Sequence, residues 1–130
     1  MLSIAGLLLV AMGVYFVLLR PPLLPEDLRY MKTTLPVIHD TAPDLSAWLQ
    51  KVFWVMGGYI FTTGLLIVFI SFTSFRHRSP GVFSLVSLAG ISSIGSMTVV
   101  NFMIGSDFKW LLLIFALPWA FSLILYRLHK

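Results

Sequence analysis

The chain has 130 residues, the length of one domain, and 58% of them are hydrophobic while only 11% are charged. Soluble domains carry about 25% charged residues, so this composition excludes an ordinary soluble fold and indicates a protein solvated by lipid. The formal net charge of +4 comes from bases that flank apolar runs, which indicates contact with anionic lipid and not with nucleic acid; the absence of cysteine excludes disulfides and cysteine-ligated metals.

Four apolar runs qualify, or nearly qualify, as membrane-crossing helices, and none contains Asp, Glu, Lys or Arg. They cover residues 2–19, 52–75, 82–104 and 110–126. The first run lacks the basic cluster and cleavage site of a secretory signal, so we interpret it as a retained span. The short second and third connections make neighbouring helices antiparallel. The sequence therefore predicts an all-α membrane protein, a four-helix antiparallel bundle, as a single domain over residues 1–130.

The connection 20–51 holds most of the polar residues and is predicted to be helical and amphipathic. Pro25 followed by Glu26 and Asp27 is typical of a helix start. Further along, Leu45, Trp48, Leu49 and Val52 recur at helical spacing, which indicates an interfacial helix or an extension of the second span.

The distribution of charge predicts the orientation. Four spans place both termini and the connection 76–81 on one side, where the charged residues are Arg76, Arg78, Arg127 and Lys130. All five acids lie on the other side, together with five bases. Because the first side concentrates its bases at span ends, we expect both termini in the cytoplasm.

Small residues recur at intervals that place them on single helix faces. The first span has Gly6 and Gly13, and the second has Gly57, Gly64 and Ser71. Such faces allow close helix contact, either within one chain or between copies in an oligomer.

Three groups of residues are candidates for function. Glu26, Asp27 and Arg29 form the densest charged cluster and are predicted either to form a functional loop or to serve a helix N-terminus. Asn101 and Thr98 provide the strongest polar contact within a span, for helix packing or a ligand. Arg76 and Arg78 could contact a lipid phosphate or anchor the topology. The histidines (His39, His77 and His129) fall on opposite sides, so no metal site and no cofactor are predicted.

Several stretches carry a resemblance to a known group. Gly13-Val14-Tyr15-Phe16, the run 20–30, Gly57-Gly58-Tyr59 and Thr63-Gly64 resemble small bacterial four-helix membrane proteins of the broad DoxX-like group. The resemblance implies a four-helix bundle in a bacterial inner membrane. It implies no particular activity or catalytic residue.

Three functions are compatible with the sequence. The first is a non-enzymatic accessory or assembly subunit of a larger membrane complex, for which small-residue faces and uncharged spans are typical. The second is a small homo-oligomeric transporter or channel, which the lack of an intramembrane carboxylate disfavours. The third is an enzyme acting on lipid or quinone, with Glu26, Asp27, His39 or Asp40 near the interface.

Overall fold

The computed structural model describes residues 1–129, and this part of the chain is helical with no strand. The elements are α1 (Leu2–Leu18), α2 (Pro25–Met31), α3 (Leu35–Thr41), α4 (Leu45–Phe72), α5 (Val82–Gly90), a π-helical turn (Ile91–Gly95), α6 (Ser96–Met103) and α7 (Lys109–Leu128). The α5 helix, the π turn and α6 are continuous and are called the third long helix, Val82–Met103.

Three helices are long and apolar enough to cross a membrane: α4, the third long helix and α7. The α1 helix is apolar as well but shorter, with 17 residues. The α4 helix begins at Leu45, ahead of the predicted boundary at Val52, because the amphipathic stretch continues into the apolar run without a helix breaker. Membrane-compatible helices are thus confirmed for three of the four predicted spans.

The α1 and α4 helices pack together through their glycines. Gly6 lies against Gly64 and Val68, and Gly13 lies against Phe61, so the two helices run antiparallel. A Cβ atom added to Gly13 would lie 2.5 Å from the backbone nitrogen of Phe61. The α1 and α4 helices therefore use their small-residue faces inside this chain, where glycine permits backbone contact.

The remaining long helices complete an open arrangement. The α7 helix packs against both α1 and the third long helix, whereas α4 packs extensively only against α1 in the described part of the chain. Two core clusters mark these contacts: Leu9, Met12, Phe16, Ile94 and Leu112 in one, and Leu2, Ile67, Val82 and Val86 in the other. The order around the bundle is α4, α1, α7 and the third long helix. The side between α4 and the third long helix is open toward Arg20, whereas near the other end Ile67 of α4 joins the cluster of Val82 and Val86.

Trp119 of α7 fixes the third long helix at its π turn. The indole nitrogen of Trp119 donates a hydrogen bond to the backbone oxygen of Val86 at 3.0 Å. The indole lies directly on Gly90, at a place where a Cβ atom would collide with the ring. Glycine at this position therefore admits the ring that joins α7 to α5.

Candidate functional site

The open side of the bundle forms a lateral cleft of about 970 Å³. One wall comes from α4, with Val55, Met56 and Tyr59, and the opposite wall comes from the third long helix. The cleft extends along α1 from Arg20 to Leu9, which corresponds to roughly 16 Å at 1.5 Å per residue. Side chains of α1 and α7 close its floor: Leu9, Met12, Tyr15, Phe16, Leu111, Leu112 and Phe115.

A row of small hydroxyl residues interrupts the apolar lining on the third long helix. Ser92, Ser93 and Ser96 line the cleft at and next to the π turn. The hydroxyl of Ser92 donates to the carbonyl of Leu88, and that of Ser96 donates to the carbonyl of Ser92, each at 2.8 Å. Their protons are thus satisfied within the helix, while the oxygens can still accept hydrogen bonds. π-Helical turns occur frequently at functional sites, which supports this wall as part of a functional site.

Arg20 closes one end of the cleft. Its guanidinium lies 3.5 Å from a carboxylate oxygen of Asp27 and 3.5 Å from the centre of the Phe53 ring. The side chain is only 10% exposed. Burial lowers the pKa of Arg20, and the nearby Asp27 carboxylate opposes that shift. An arginine stays protonated at neutral pH, so Arg20 is a partly buried cation with a carboxylate partner.

Glu26 is the most deeply buried charged residue at this end, with 5% exposure. Its Oε1 accepts a hydrogen bond from the hydroxyl of Ser106 at 2.8 Å, and Ser106 Oγ accepts one from the backbone N–H of Phe108 at 3.1 Å. This contact joins α2 to the connection between α6 and α7. The Ser106 hydroxyl thereby compensates part of the hydration that the Glu26 carboxylate loses by burial at the cleft.

The predicted cluster of Glu26, Asp27 and Arg29 is divided among three contacts. Asp27, the third residue of α2, accepts a hydrogen bond from the backbone N–H of the N-cap residue Leu24 at 2.8 Å, as an acidic residue does in a capping box. Arg29 pairs with Asp107 at 2.8 Å on the surface, and this hydrogen bond raises the pKa of Arg29. Glu26 and Asp27 line the cleft, whereas Arg29 lies outside its lining.

The structure separates the two polar residues predicted to act together within the third span. Thr98 is buried and donates to the carbonyl of Ile94 at 2.7 Å. Asn101 donates to the carbonyl of Met97 at 2.9 Å and also lines the cleft. Its side-chain oxygen can accept a hydrogen bond from a molecule in the cleft. Asn101 is thus part of the candidate site, whereas Thr98 lies outside the cleft and bonds only within its own helix.

Arg76 and Arg78 lie at the opposite end of the molecule, beside a second cavity of about 440 Å³. Arg78 donates a hydrogen bond to the backbone oxygen of His129 and stacks 4.7 Å from the centre of the Tyr126 ring. This arginine therefore fastens the connection after α4 to the end of α7. Lys130, which entered the predicted orientation, lies outside the described residues.

Sequence reasoning did not find the cleft. Its clearest sequence signal is the group Ser92, Ser93 and Ser96, whose spacing is by itself typical of a helix-packing face. Across residues 1–129, no group of three His, Asp or Glu side chains could hold a metal ion. No family model, no curated protein and no solved structure matches the chain.

Proposed function

We propose that the chain is a non-enzymatic, multi-pass membrane protein that holds a lipid-phase amphiphile in its lateral cleft and acts as an accessory subunit of a larger membrane complex. The observation that carries the proposal is the open side between α4 and the third long helix. Long apolar walls ending in a polar group match a molecule with a hydrocarbon chain and a polar head.

The size of the cleft favours an amphiphile over a partner helix. Its volume of about 970 Å³ lies at the upper end of the range of small-molecule sites, about 300–1,000 Å³. A membrane-crossing helix of a partner is about 30 Å long, whereas the cleft extends for roughly 16 Å. A partner helix would leave part of its own length uncovered, but a hydrocarbon chain can fill this space.

The proposal includes α1 as the fourth span. The α1 helix runs antiparallel to α4 and in contact with it from Gly6 to Gly13, and its 17 residues span about 25 Å. A helix in such contact with a membrane-crossing neighbour occupies the same apolar layer. Both termini are then on the side of Arg76 and Arg78, which we assign to the cytoplasmic face of a bacterial inner membrane.

The accessory role is supported by the outer surface and by the polar contacts. Large apolar side chains such as Phe69, Leu88 and Trp110 are exposed on the outside and can contact lipid or a partner. The charged residues of α2 join elements of this chain and form no paired nucleophile and base. Purification from native membranes in mild detergent should recover a stoichiometric partner. Recovery of the chain alone, or only with copies of itself, would contradict the accessory role.

Two neighbouring valines provide a matched test of the cleft. Val100 lines the cleft and is 51% exposed, while Val99 lies outside the lining and is 59% exposed. We expect Val100→Trp to reduce the amphiphile that co-purifies with the chain several-fold, because the indole fills the cleft. Val99→Trp should retain the wild-type amount. Native mass spectrometry and lipid extraction measure both.

Thermal unfolding of the two purified variants checks that each is folded. Equal retention of amphiphile by Val100→Trp, Val99→Trp and the wild type would show that bound lipid is not in the cleft. That result would contradict the proposal.

A further inference from the structure

We infer that the cleft selects an amphiphile with an uncharged, hydroxyl-bearing head, of the diacylglycerol type, over an anionic phospholipid. The inference rests on the proposed function and specifies the class of molecule bound. It follows from the charges and hydrogen-bonding groups at the Arg20 end of the cleft.

The formal charges at this end do not favour an anion. Among residues 1–129, the ionisable side chains that line the cleft are Tyr15, Arg20, Glu26, Asp27 and Tyr59. At neutral pH their formal charges are one positive and two negative, because the phenols are neutral. A phosphate head would therefore enter a region with a formal net charge of −1.

Arg20, the cation among the described residues that line the cleft, is already engaged. Arg20 pairs with Asp27 at 3.5 Å, and the face of its guanidinium lies on the Phe53 ring. With 10% of its side chain exposed, Arg20 presents little surface to a ligand. Its charge is largely balanced by Asp27, which leaves Glu26 as the excess charge. The low-dielectric surroundings strengthen the repulsion between Glu26 and an entering phosphate.

The hydrogen-bonding groups favour a donor on the head of the ligand. Carboxylates accept hydrogen bonds and cannot donate them, and the hydroxyls of Ser92 and Ser96 already donate to helix carbonyls. A ligand hydroxyl can donate to the Asp27 carboxylate, whose side chain is 23% exposed, or to the side-chain oxygen of Asn101. An ionised phosphodiester group has acceptors only, and the phenol hydroxyls of Tyr15 and Tyr59 can donate to either kind of head. Because the glycerol hydroxyls of phosphatidylglycerol can also donate, the discrimination against that lipid depends on the charge of Glu26.

Competition between two photoactivatable lipids tests the inference. The full chain is reconstituted in phosphatidylcholine vesicles that contain equal small amounts of photoactivatable diacylglycerol and photoactivatable phosphatidylglycerol. After illumination, mass spectrometry identifies the labelled peptides. We expect peptides containing Val55 and Val100 to carry diacylglycerol several-fold more often than phosphatidylglycerol.

The variant Glu26→Gln removes the excess charge and keeps an oxygen that can accept from Ser106. It should reduce the preference for diacylglycerol several-fold. Asp107→Asn is the matched control, because Asp107 is an exposed acid outside the lining of the cleft. It should leave the preference unchanged.

The outcomes distinguish failure of the selectivity from failure of cleft binding. Equal labelling of the cleft by both lipids, or a preference for phosphatidylglycerol, overturns the selectivity and leaves cleft binding intact. An unchanged preference in Glu26→Gln also overturns it. Labelling confined to outer faces contradicts the proposed function itself. If Glu26→Gln does not fold, the wild-type ratio of the two lipids still decides, because that measurement needs no variant.

Discussion

Gly13→Ala is expected to lower the free energy of unfolding by about 2–3 kcal/mol, at the upper end of the range for overpacking. The added methyl would lie 2.5 Å from the backbone nitrogen of Phe61 and 2.7 Å from its Cα. Backbone atoms cannot move away by a change of rotamer as a flexible side chain can. The α1 and α4 helices must therefore separate along their interface. Separation also weakens the contacts at Gly6, Gly57 and Gly64, which depend on the same close approach.

Gly58→Ala is the matched control, because in residues 1–129 nothing beyond the neighbouring backbone of α4 lies within 4 Å of a Cβ placed there. Alanine favours helix over glycine by about 1 kcal/mol in water, so this variant should be as stable as the wild type or more stable. Equilibrium unfolding in mixed micelles measures both variants. Similar stability of Gly13→Ala and Gly58→Ala would show that α1 does not pack on α4 in this manner.

Gly90→Ala is expected to lower the free energy of unfolding by about 3 kcal/mol, because it displaces Trp119. Overpacking and the loss of a hydrogen bond both contribute to this value. The methyl group would occupy the position of the indole. When the indole moves away, its hydrogen bond to the carbonyl of Val86 is broken. The contact of Trp119 with the core around Val82 and Val86 is lost as well.

A double-mutant cycle identifies the cause. Trp119→Ala is destabilising by itself because it removes a large packed side chain. In that background the methyl group of Gly90→Ala has no indole ring to collide with. The further decrease in the free energy of unfolding should therefore be near zero. A coupling energy of about 2 kcal/mol or more between the two sites is the expected result of their direct contact. Additive effects would mean that Gly90 matters for the backbone of the π turn and not for Trp119.

The helical class and the long apolar helices could be predicted from the sequence because they depend on local properties. A run of about 20 apolar residues without charge has few alternatives to a membrane helix. The spacing of Gly6, Gly13, Gly57 and Gly64 likewise indicated two close-packing faces. Spacing along one helix cannot identify the partner of a face, and the structure was needed to show that these faces meet each other.

The candidate site could not be predicted in the same way, because the cleft exists where α4 does not pack on the third long helix. Val55 and Val100 read as ordinary lipid-facing or packed residues until the order of the helices is known. The π turn in the third long helix has no simple sequence signal, so the position of the serines relative to the cleft could not be derived either.

The charged cluster illustrates the difference between local and distant information. Glu26, Asp27 and Arg29 were recognised as a group because they are neighbours in sequence. Their separate roles depend on distant partners, since Ser106 lies 80 residues beyond Glu26 and Asp107 lies 78 residues beyond Arg29. Only Asp27 makes the kind of local contact, a helix cap, that the sequence itself suggests.

The central claim is that α4 and the third long helix are separated by a cleft in which a membrane amphiphile lies. An experimental structure of the full chain in lipid nanodiscs tests it most directly. We expect continuous elongated density between Val55 and Val100, with its head near Arg20 and its tail extending toward Leu9. Direct packing of α4 on the third long helix, with no space between these walls, would contradict the account.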